Sequence, residues 1–544
     1  MSALLTTACG RTSDPIPAVA PDTGVDTDAS GPDVAEDLVP DVGPTCGTRA
    51  ACAATWEENA SARLEAILAD PSALAAFLKA VPKGGDLHNH LNGAVYAETM
   101  LEWARADGDC VDTTKHTVYY GKKCTETTQP APSEGDFFDE VIRAWSMQDF
   151  VPGDESGHDH FFATFGKYGT VSGAHRDESI ADVLARAADE NQVYVETMFN
   201  MGKNVGKIAS SLWSGTLTAA DLPAFYDLLV ADPGFAAALD TDVAVVGYAV
   251  SGTRDALGCA DLAPPPACDV GVRFISQVSR TGASDLVFGQ LVASFEMAIR
   301  TPDLVGVNLS SAEDETTSLS RYALHMAMLD FLYEKYTATG VSPLHVTLHA
   351  GELTPKFLPE GFSDANTFHV RDAVEVAHAE RIGHGIDVLS ETDPEGLMAE
   401  MREKNVLVEV CLSSNAQILE VSGENHPLAQ YLSHDVPVTL ATDDQGVSRS
   451  SMAGEYLRAV QDQKLNYRQL KRMARESLEH AFLPGTSLWL SLPDALPVAE
   501  CAPTDAFGVG DPPVASCDQF LATSERAQAQ WELERRFVTF ESLQ

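Results

Sequence analysis

Short apolar runs alternate with longer amphipathic segments along most of the chain after residue 80. The longer segments place apolar residues at helical spacing, as in Ile180 to Glu190, Leu319 to Tyr336 and Pro394 to Lys404. The short runs are typical of buried strands. Eight of them predict strands: the run ending in Asp86-Leu87, Val193 to Phe199, Val243 to Val250, Leu304 to Leu309, Leu344 to Leu348, Glu380 to Ile382, Val406 to Leu412 and Val438 to Ala441.

This alternation predicts an α/β fold. Strands that alternate with helices form parallel βα units, and eight such units favour a closed TIM (β/α)8 barrel over an open doubly wound sheet. No Gly-x-Gly-x-x-Gly motif opens the first unit, which weighs against a dinucleotide-binding fold. We therefore expect a (β/α)8 barrel with an N-terminal extension and disulfide-stapled insertions.

Changes in composition divide the chain into four segments. Residues 1–45 are rich in Asp, Pro, Ala, Gly and Thr, which predicts the remnant of a signal followed by a disordered acidic tether. Residues 46–80 form a helical N-terminal extension. The catalytic barrel spans residues 81–485 and carries an insertion near 106–135. Residues 486–544 form a C-terminal extension that ends in a helix over Thr523 to Phe537.

The charge balance narrows the range of partners. The chain has 36 Lys and Arg against 80 Asp and Glu, so its formal net charge is −44. Such a surface repels phosphate backbones, which excludes a nucleic-acid polymer as partner. It disfavours polyanionic substrates and suits a neutral or cationic small molecule. The alternative is that the acidity serves solubility alone.

The ten cysteines fall mostly into local pairs. The pairs are Cys46 with Cys52, Cys110 with Cys124, Cys259 with Cys268, and Cys501 with Cys517. Cys9 and Cys411 remain single. Local pairs in loops indicate an oxidising compartment. No Cys-x-x-Cys motif is present, which excludes the cysteine-ligated zinc of cytidine-type deaminases.

The N-terminus predicts export. No run of 18 or more apolar residues occurs, so we expect no transmembrane helix. The segment from Leu4 to Gly10 resembles the end of a bacterial lipoprotein signal with Cys9 as the lipidated residue, although the charged start is missing. We expect a periplasmic or cell-surface lipoprotein, or an extracellular protein. The alternative is a disordered terminus that carries a chance cysteine.

Four polar clusters stand where predicted strands end, which is where barrel enzymes carry their catalytic residues. His88 and His90 are two apart on a strand and so point to the same face. Any one cluster could instead be a turn or a solvated loop, but agreement at four strand ends favours one metal site. Three His and a carboxylate suit zinc. The clusters are His88-Asn89-His90, His349 with Glu352, His384, and Asp443-Asp444.

The motifs around these clusters resemble, in order, those of the adenosine deaminase family of metal-dependent hydrolases. They are Pro82-Lys83-Gly84-Gly85-Asp86-Leu87-His88-Asn89-His90, His349-Ala350-Gly351-Glu352, Arg381-Ile382-Gly383-His384-Gly385, Glu409-Val410-Cys411-Leu412-Ser413-Ser414-Asn415 and Thr442-Asp443-Asp444. The resemblance runs from about Val81 to Gly485. With its long N-terminal extension, its local cysteine pairs and the segment Phe161 to Phe165, the chain is most similar to the secreted growth-factor-like branch.

The resemblance implies a site and a mechanism. One zinc ion per chain is held by His88, His90, His349 and Asp443. Zinc lowers the pKa of water so that hydroxide exists near neutral pH, and His384 and Asp443 orient that hydroxide for attack on C6 of the purine. Glu352 protonates N1, and Asp444 hydrogen-bonds N7.

Two positions depart from the family pattern. Asn92 stands where the family has an Asp that holds the ribose 5′-hydroxyl. Ser311 replaces a Gly whose backbone N–H contacts N3, although Glu313 still matches the family acid that follows. Phe161 and Phe165 are expected to line an apolar wall for base and ribose, or else to serve core packing alone.

The resemblance therefore implies hydrolytic deamination of adenosine, and of 2′-deoxyadenosine, to inosine and ammonia. One alternative keeps the barrel and the zinc but acts on another aminated purine, heterocycle or amide. Another is a nucleoside-binding or signalling protein that does not depend on turnover. The substrate is a small-molecule purine nucleoside in the leading interpretation, and the oligomeric state is left open, with a dimer among the options.

Overall fold

A computed structural model describes residues 49–121, 123–338, 340, 344–502 and 514–544. The predicted tether, Cys9 and Cys46 lie outside the described residues. Eight parallel strands form one sheet whose order follows the sequence. They are β1 (Gly84–His90), β2 (Gln192–Phe199), β3 (Gly271–Ser279), β4 (Leu304–Ser310), β5 (His345–Ala350), β6 (Arg381–His384), β7 (Leu407–Val410) and β8 (Val438–Leu440).

The sheet closes on itself just beyond the end of β8. Asn89 of β1 and Asp443 form a parallel bridge. The backbone N–H of His90 donates to the carbonyl of Asp443 at 3.2 Å, and the N–H of Asp443 donates to the carbonyl of His88 at 2.8 Å. The predicted (β/α)8 barrel is thereby confirmed, and the closing bonds join two of the polar clusters directly.

Helices surround the barrel and extend it at both chain ends. The α-helices are Arg49–Ile67, Pro71–Ala80, Leu91–Ala94, Ala97–Ala106, Asp136–Trp145, Gly157–Ala174, Arg176–Asp189, Lys203–Leu212, Leu222–Ala231, Pro233–Ala256, Ser284–Ala298, Thr316–Thr337, His369–Glu375, Pro394–Lys404, Leu412–Ile418, Leu428–Ser433, Gln445–Ser448, Met452–Gln461, Tyr467–Glu479, Ala515–Leu521 and Glu525–Glu541. Short 3₁₀ turns are Ala219–Asp221, Pro266–Asp269, Ala365–Thr367, Val388–Ser390 and Gly423–Asn425.

One predicted strand is wrong. The run Val243 to Val250 lies inside the 24-residue helix Pro233–Ala256, and β3 is instead the later segment Gly271–Ser279. The run is rich in β-branched residues, which favours a strand. The helix nevertheless begins upstream, where Asp232 caps the backbone N–H of Phe235 at 2.7 Å and Pro233 occupies the first turn. The helix-start signals about ten residues upstream therefore outweigh the strand propensity of the run itself.

The same helix is long and apolar enough to cross a membrane by length and composition, and it is the one such helix among the described residues. This differs from the expectation that no segment qualifies. Its buried side chains Phe235, Leu239 and Val246 join the main hydrophobic core around the barrel. Helices that line the core of a folded domain meet the same criterion, so the finding by itself does not assign a membrane span.

Three of the four predicted cysteine pairs form disulfides. They are Cys110–Cys124, Cys259–Cys268 and Cys501–Cys517. The fourth predicted pair includes Cys46, which lies outside the described residues. Cys411 is buried and forms no disulfide, as predicted.

The first disulfide fastens the insertion near 106–135. Strands Cys110–Asp112, Val118–Tyr119 and Thr128–Pro130 form a small antiparallel sheet there. A second small sheet, Trp489–Ser491 with Leu496–Pro497, lies in the C-terminal extension. Both lie outside the barrel sheet, so the insertion and the extension leave the order of the barrel strands intact.

The two chain-terminal extensions pack against each other. Lys471 on helix Tyr467–Glu479 is largely buried and bonds Glu57 at 2.8 Å and Glu541 at 2.7 Å. It thereby links helix Arg49–Ile67 to helix Glu525–Glu541 through a barrel helix. Because one buried cation satisfies carboxylates from both extensions, the two are built onto the barrel as one layer.

A buried ion-pair group crosses the interior of the barrel below the polar clusters. Arg381 of β6 is fully buried and contacts Glu196 of β2 and Glu409 of β7, each at 2.7 Å. Charged groups are held in a protein interior only when paired and hydrogen-bonded. Arg381 therefore fixes the side chain of Glu409, which in turn reaches the first histidine of the site.

Candidate metal centre

The four polar clusters meet at the carboxyl ends of the barrel strands. His88 Nε2 lies 3.2 Å from His349 Nε2, and His90 Nε2 lies 3.0 Å from the same atom. Asp443 Oδ1 lies 3.7 Å from His88 Nε2 and 3.5 Å from His90 Nε2. Side chains from β1 thus face the same point as side chains from β5 and from the segment after β8, which lie more than 250 residues later in the sequence.

These separations fit one zinc ion. Donor atoms at about 2.0–2.1 Å from a tetrahedral ion lie about 3.3 Å from one another, which is close to the four distances above. It would cost free energy to bury three imidazole nitrogens and a carboxylate this close together without a cation between them. His88, His90, His349 and Asp443 would hold the ion.

The second nitrogen of each ligand histidine identifies which lone pair is free. Nδ1 of His88 faces Glu409 Oε2 at 2.6 Å, Nδ1 of His90 faces Gln277 Oε1 at 3.2 Å, and Nδ1 of His349 faces Asn308 Oδ1 at 2.6 Å. Each of these oxygens accepts, so each Nδ1 carries the proton and each Nε2 offers a lone pair to the shared point. Zinc-binding histidines show this arrangement.

Burial and local charge set the protonation of the ligands. Burial lowers the pKa of His90 to about 4 and holds that of His349 well below its usual range. For His88, burial opposes the charged form, but the bond to Glu409 raises its pKa. The pKa of Asp443 is lowered because the surrounding imidazoles outweigh its burial. Neutral His90 and His349 beside an ionised Asp443 suit metal binding.

His384 lies next to the ligands but differs from them. Its Nδ1 is 3.0 Å from the side-chain amide nitrogen of Asn415, and its Nε2 is 3.7 Å from Glu352 Oε1. Burial lowers its pKa to about 3, so the ring is neutral. Gly383 before it is required by packing, because a Cβ there would lie 2.6 Å from His88 Cε1.

Glu352 is a buried acid at the edge of the same site. Burial is the main cause that raises its pKa well above the usual range, and the nearby Asp443 and Glu313 add to the rise. Its backbone N–H donates to Glu313 Oε2 at 2.8 Å, and the N–H of Gly351 donates to Glu313 Oε1 at 3.3 Å. A carboxyl group that burial and neighbouring carboxylates keep protonated is suited to donate a proton to a substrate.

Asp444 is also held as a neutral acid. Burial raises its pKa well above the usual range, and Asp443 next to it adds to the rise. Its Oδ1 is buried without a hydrogen-bond partner among the described residues. Gly93 makes room for it, because a Cβ at that position would lie 1.9 Å from Asp444 Oδ1. Asp444 therefore lines the cavity as a buried acid with one unpaired side-chain oxygen.

One cavity of about 320 Å³ contains the site. It is lined by His90, Asn92, Phe161, Phe162, Phe165, Gln277, Ser310, Ser311, His349, Glu352, His384, Ile418, Asp443 and Asp444. All five sequence-predicted substrate-contact residues are among them. The three phenylalanines come from helix Gly157–Ala174 and form an apolar wall opposite the polar strand ends. Among the residues that the structure describes, no lysine or arginine lines this cavity.

Three residues that line the cavity have backbone angles in the left-handed region. Their φ values are 78° for Ser311, 67° for His384 and 56° for Asp443. Non-glycine residues seldom adopt this conformation, and strained residues of this kind cluster at functional sites. Ser311 Oγ is fixed in this conformation by Ser279 Oγ at 2.8 Å.

The sequence motifs contained Glu409 and Asn415 without indicating their roles, Asn308 lay within a predicted strand, and Gln277 stood out in no pattern. Each contacts an active-site histidine from a different strand or helix. The one available signal is a polar residue within a predicted strand or just after it, as in Asn308 of β4.

Comparison with known proteins agrees with this geometry. The sequence model of the adenosine deaminase family matches residues 224–488, which include His349, Glu352, His384 and the Asp443-Asp444 pair. This part of the chain, residues 224–488, belongs to the adenosine deaminase family. His88 and His90 lie before the matched segment, and their placement beside His349 completes the metal centre of this adenosine deaminase family member.

Curated relatives share part of this sequence. An adenosine deaminase of Photorhabdus laumondii is 28% identical over 220 residues, covering 40% of this chain and 57% of that protein. An adenine deaminase of Sinorhizobium medicae is 29% identical over 193 residues, covering 35% of this chain and 52% of that protein. The chain thus matches about half the length of these relatives.

Solved structures resemble the barrel more distantly. The Arabidopsis N6-mAMP deaminase is 21% identical with a TM-score of 0.47, covering 75% of this chain and 95% of that one. An adenine deaminase of Arthrobacter aurescens is 18% identical with a TM-score of 0.45, covering 74% of this chain and 94% of that one.

Proposed function

We propose that this protein catalyses the zinc-dependent hydrolytic deamination of adenosine, and of 2′-deoxyadenosine, to inosine and ammonia. The observation that carries the proposal is the pairing of a four-ligand metal centre with a buried, protonated acid. His88, His90, His349 and Asp443 face one point, and Glu352 lies in the same cavity.

The residues divide the chemistry between them. When bound, zinc lowers the pKa of water so that hydroxide is available near neutral pH. Glu352 donates its proton to N1 of the purine, which makes C6 a better electrophile. Asp444, kept protonated by burial, donates to N7, an acceptor. His384 contacts the oxygen nucleophile. The oxygen nucleophile adds to C6, and the proton of the new hydroxyl group passes to the amino nitrogen. The C6–N bond then breaks, ammonia leaves, and a 6-oxo purine with a proton on N1 remains.

The cavity favours a nucleoside over a nucleotide. A phosphate group is normally bound by Arg, Lys or backbone N–H groups at a helix N-terminus. No cationic side chain of the described part of the chain lines this cavity, and the chain carries a net charge of −44. The phenylalanine wall and Asn92 suit an uncharged base and ribose, with Asn92 placed to bond a sugar hydroxyl.

A second candidate keeps the chemistry and changes the purine. Ser311 replaces a glycine with a side chain bonded to Ser279, and so takes space where the base edge would lie. One relative with a similar match is named an adenine deaminase. Deamination of another aminopurine on the same centre is therefore the alternative. A further alternative is a nucleoside-binding or signalling protein that catalyses no reaction. The presence of the acid together with all four candidate metal ligands argues against it.

Metal analysis of the purified full chain, with an ultraviolet assay on adenosine, 2′-deoxyadenosine, adenine, guanosine and AMP, tests the proposal. We expect about one zinc per chain and the highest kcat/KM on adenosine or 2′-deoxyadenosine. Adenine as the best substrate would favour the second candidate. Zinc binding without deamination of any compound would favour the binding protein.

We also propose that the protein is exported. Three disulfides between cysteines close in sequence support an oxidising compartment. Lipidation at Cys9 remains part of this proposal, and Cys9 lies outside the described residues. Mass spectrometry of the membrane and soluble fractions of the native host tests both points, because a lipidated form carries the added mass of its acyl chains.

A further inference from the structure

A row of hydrogen bonds outside the catalytic cavity leads to His384. It begins at the backbone N–H of Leu428, which lies 3.1 Å from Nδ1 of His426. A backbone amide can only donate, so Nδ1 of His426 is the acceptor. Burial lowers the pKa of His426 to about 4, so the ring is neutral and its one proton is on Nε2.

The next bond orients an amide. His426 Nε2 lies 3.2 Å from Oδ1 of Asn415, so the ring donates and the amide oxygen accepts. This fixes the orientation of the Asn415 side-chain amide, whose NH₂ group faces Nδ1 of His384 at 3.0 Å. An amide NH₂ only donates, so Nδ1 of His384 accepts and the proton of this neutral ring is on Nε2.

His384 is therefore the opposite tautomer from the three ligand histidines. His88, His90 and His349 each direct Nδ1 to a side-chain oxygen and leave the Nε2 lone pair free. His384 instead presents Nε2–H to the cavity, where this atom has no hydrogen-bond partner among the described residues. A protonated nitrogen cannot ligate a metal, although His384 lies as close to the centre as a ligand would.

We propose that Asn415 and His426 are positioning residues that fix His384 as a hydrogen-bond donor at Nε2. In this state His384 holds the oxygen nucleophile by donating to it, and it serves neither as a zinc ligand nor as the base that removes a proton. The role of the donor rests on the proposed deamination. The position of the proton on His384 does not depend on the proposed deamination, because it follows from the hydrogen bonds alone.

The test reverses the direction of the hydrogen bond between residue 415 and His384 while keeping the shape of the side chain at position 415. In Asn415→Asp, a carboxylate accepts from His426 on one side and from His384 on the other, so the His384 proton moves to Nδ1. Nitrogen-15 NMR of the zinc-loaded full chain with labelled histidine distinguishes bare from protonated ring nitrogens. The His384 signals are identified by their loss in His384→Gln.

We expect a bare Nδ1 on His384 in the wild type and a bare Nε2 in Asn415→Asp. With the donor removed, kcat falls by about 10²- to 10⁴-fold, the range for loss of a correctly protonated catalytic imidazole. KM changes by less than about threefold, since the substrate contacts stay in place. Asn425→Asp is the matched control: it adds the same charge at an exposed neighbour of His426, and both tautomer and kcat stay as in the wild type.

Variants of His426 separate positioning from folding. In His426→Gln, the side-chain amide still donates to Asn415, so the His384 tautomer and most of kcat are kept. In His426→Leu that donor is lost, Asn415 is free to turn, and kcat falls. Equal losses in the two variants would indicate a structural role only.

The wild-type spectrum decides the central point even if a variant does not fold. A protonated Nδ1 on wild-type His384 would overturn the proposal, as would an unchanged tautomer and kcat in Asn415→Asp. Failure to deaminate any purine would refute the proposed function while leaving the tautomer assignment measurable.

Discussion

At the scale of single residues, partners decide what chemically similar side chains do. Four histidines lie at the mouth of the barrel, all buried. Nδ1 faces a side-chain oxygen in three of them, which leaves Nε2 free to accept, and faces an amide nitrogen in the fourth, which leaves Nε2 to carry the proton. Two neighbouring aspartates separate in the same way: Asp443 faces imidazoles and is ionised, whereas Asp444 faces carboxylates and is protonated.

Glu352→Gln tests the assigned acid. Gln keeps the size of the side chain but has no transferable proton, so we expect kcat to fall by about 10²- to 10⁴-fold. Zinc content should not change, because Glu352 is not among the four ligands. The ultraviolet assay and metal analysis are made on the same sample, and a variant with wild-type kcat would exclude Glu352 as the acid.

Asn308→Leu tests the support of the metal centre. Asn308 is fully buried, does not line the cavity, and its Oδ1 accepts from His349 Nδ1 at 2.6 Å. Leu has a similar shape but cannot accept, so we expect zinc affinity to fall by about 10- to 100-fold. Competition with a fluorescent chelator measures it. Asn308→Asp, which still accepts, serves as control and should retain zinc at least as tightly.

At the scale of elements, the site depends on how strands end and the next segments begin. The strands that carry site residues present them at their carboxyl ends, where the chain turns toward the following segment. Helix Leu412–Ile418 follows β7 and carries Asn415. Its first turn is fixed by Glu455 from helix Met452–Gln461, whose Oε2 accepts from the N–H of Ser413 at 3.1 Å.

Glu455 also makes the stability of the fold depend on pH. Burial raises its pKa from 4.5 to about 7. A carboxyl with a raised folded-state pKa binds its proton more tightly when folded, so the stabilisation is full below pH 4.5 and is lost as pH rises to about 7. A shift of this size corresponds to about 3 kcal/mol.

Glu455→Gln should therefore flatten the pH dependence of the unfolding free energy. Between about pH 5 and 7.5 the wild type loses stability from this group, whereas the variant, which cannot ionise, does not. Urea unfolding at several pH values measures the difference. Glu424→Gln, at an exposed position, is the control and should leave the slope unchanged. Parallel curves for Glu455→Gln and wild type would contradict the assignment.

At the scale of the whole molecule, charge and shape act together on substrate choice. The chain has a net charge of −44, and the described residues that line the cavity include no cationic side chain. An anionic substrate is repelled at long range and finds no counter-charge at short range. A neutral nucleoside meets neither obstacle.

Discrimination between adenosine and AMP should therefore depend on salt. The ratio of kcat/KM for adenosine to that for AMP should be largest at low ionic strength and should fall as salt rises from about 10 mM to about 1 M, where the Debye length shrinks from about 30 Å to about 3 Å. 2′-Deoxyadenosine is the neutral control. The ratio of kcat/KM for adenosine to that for 2′-deoxyadenosine should stay constant as salt rises. A salt-independent ratio for AMP would show that the field of the protein plays no part.

Much of the architecture followed from the sequence because it depends on local pattern. Seven of the eight predicted strands lie in the barrel, and Pro394 to Lys404 is a helix with those bounds. Three disulfides followed from spacing, since short loops close most easily. The exception, Val243 to Val250, failed because helix-start signals upstream outweighed its strand propensity.

The sequence by itself determined which residues can bind zinc and move protons, because residue type and position at strand ends are written in the chain. It did not determine which nitrogen of each imidazole is free, or which aspartate is ionised. The free nitrogen is set by Gln277, Asn308, Glu409 and Asn415, which approach from other strands and helices. The ionised aspartate is set by burial and by the imidazoles around Asp443. Hydrogen-bond polarity and burial exist only after folding, so only the tertiary structure could assign one histidine a role different from the other three.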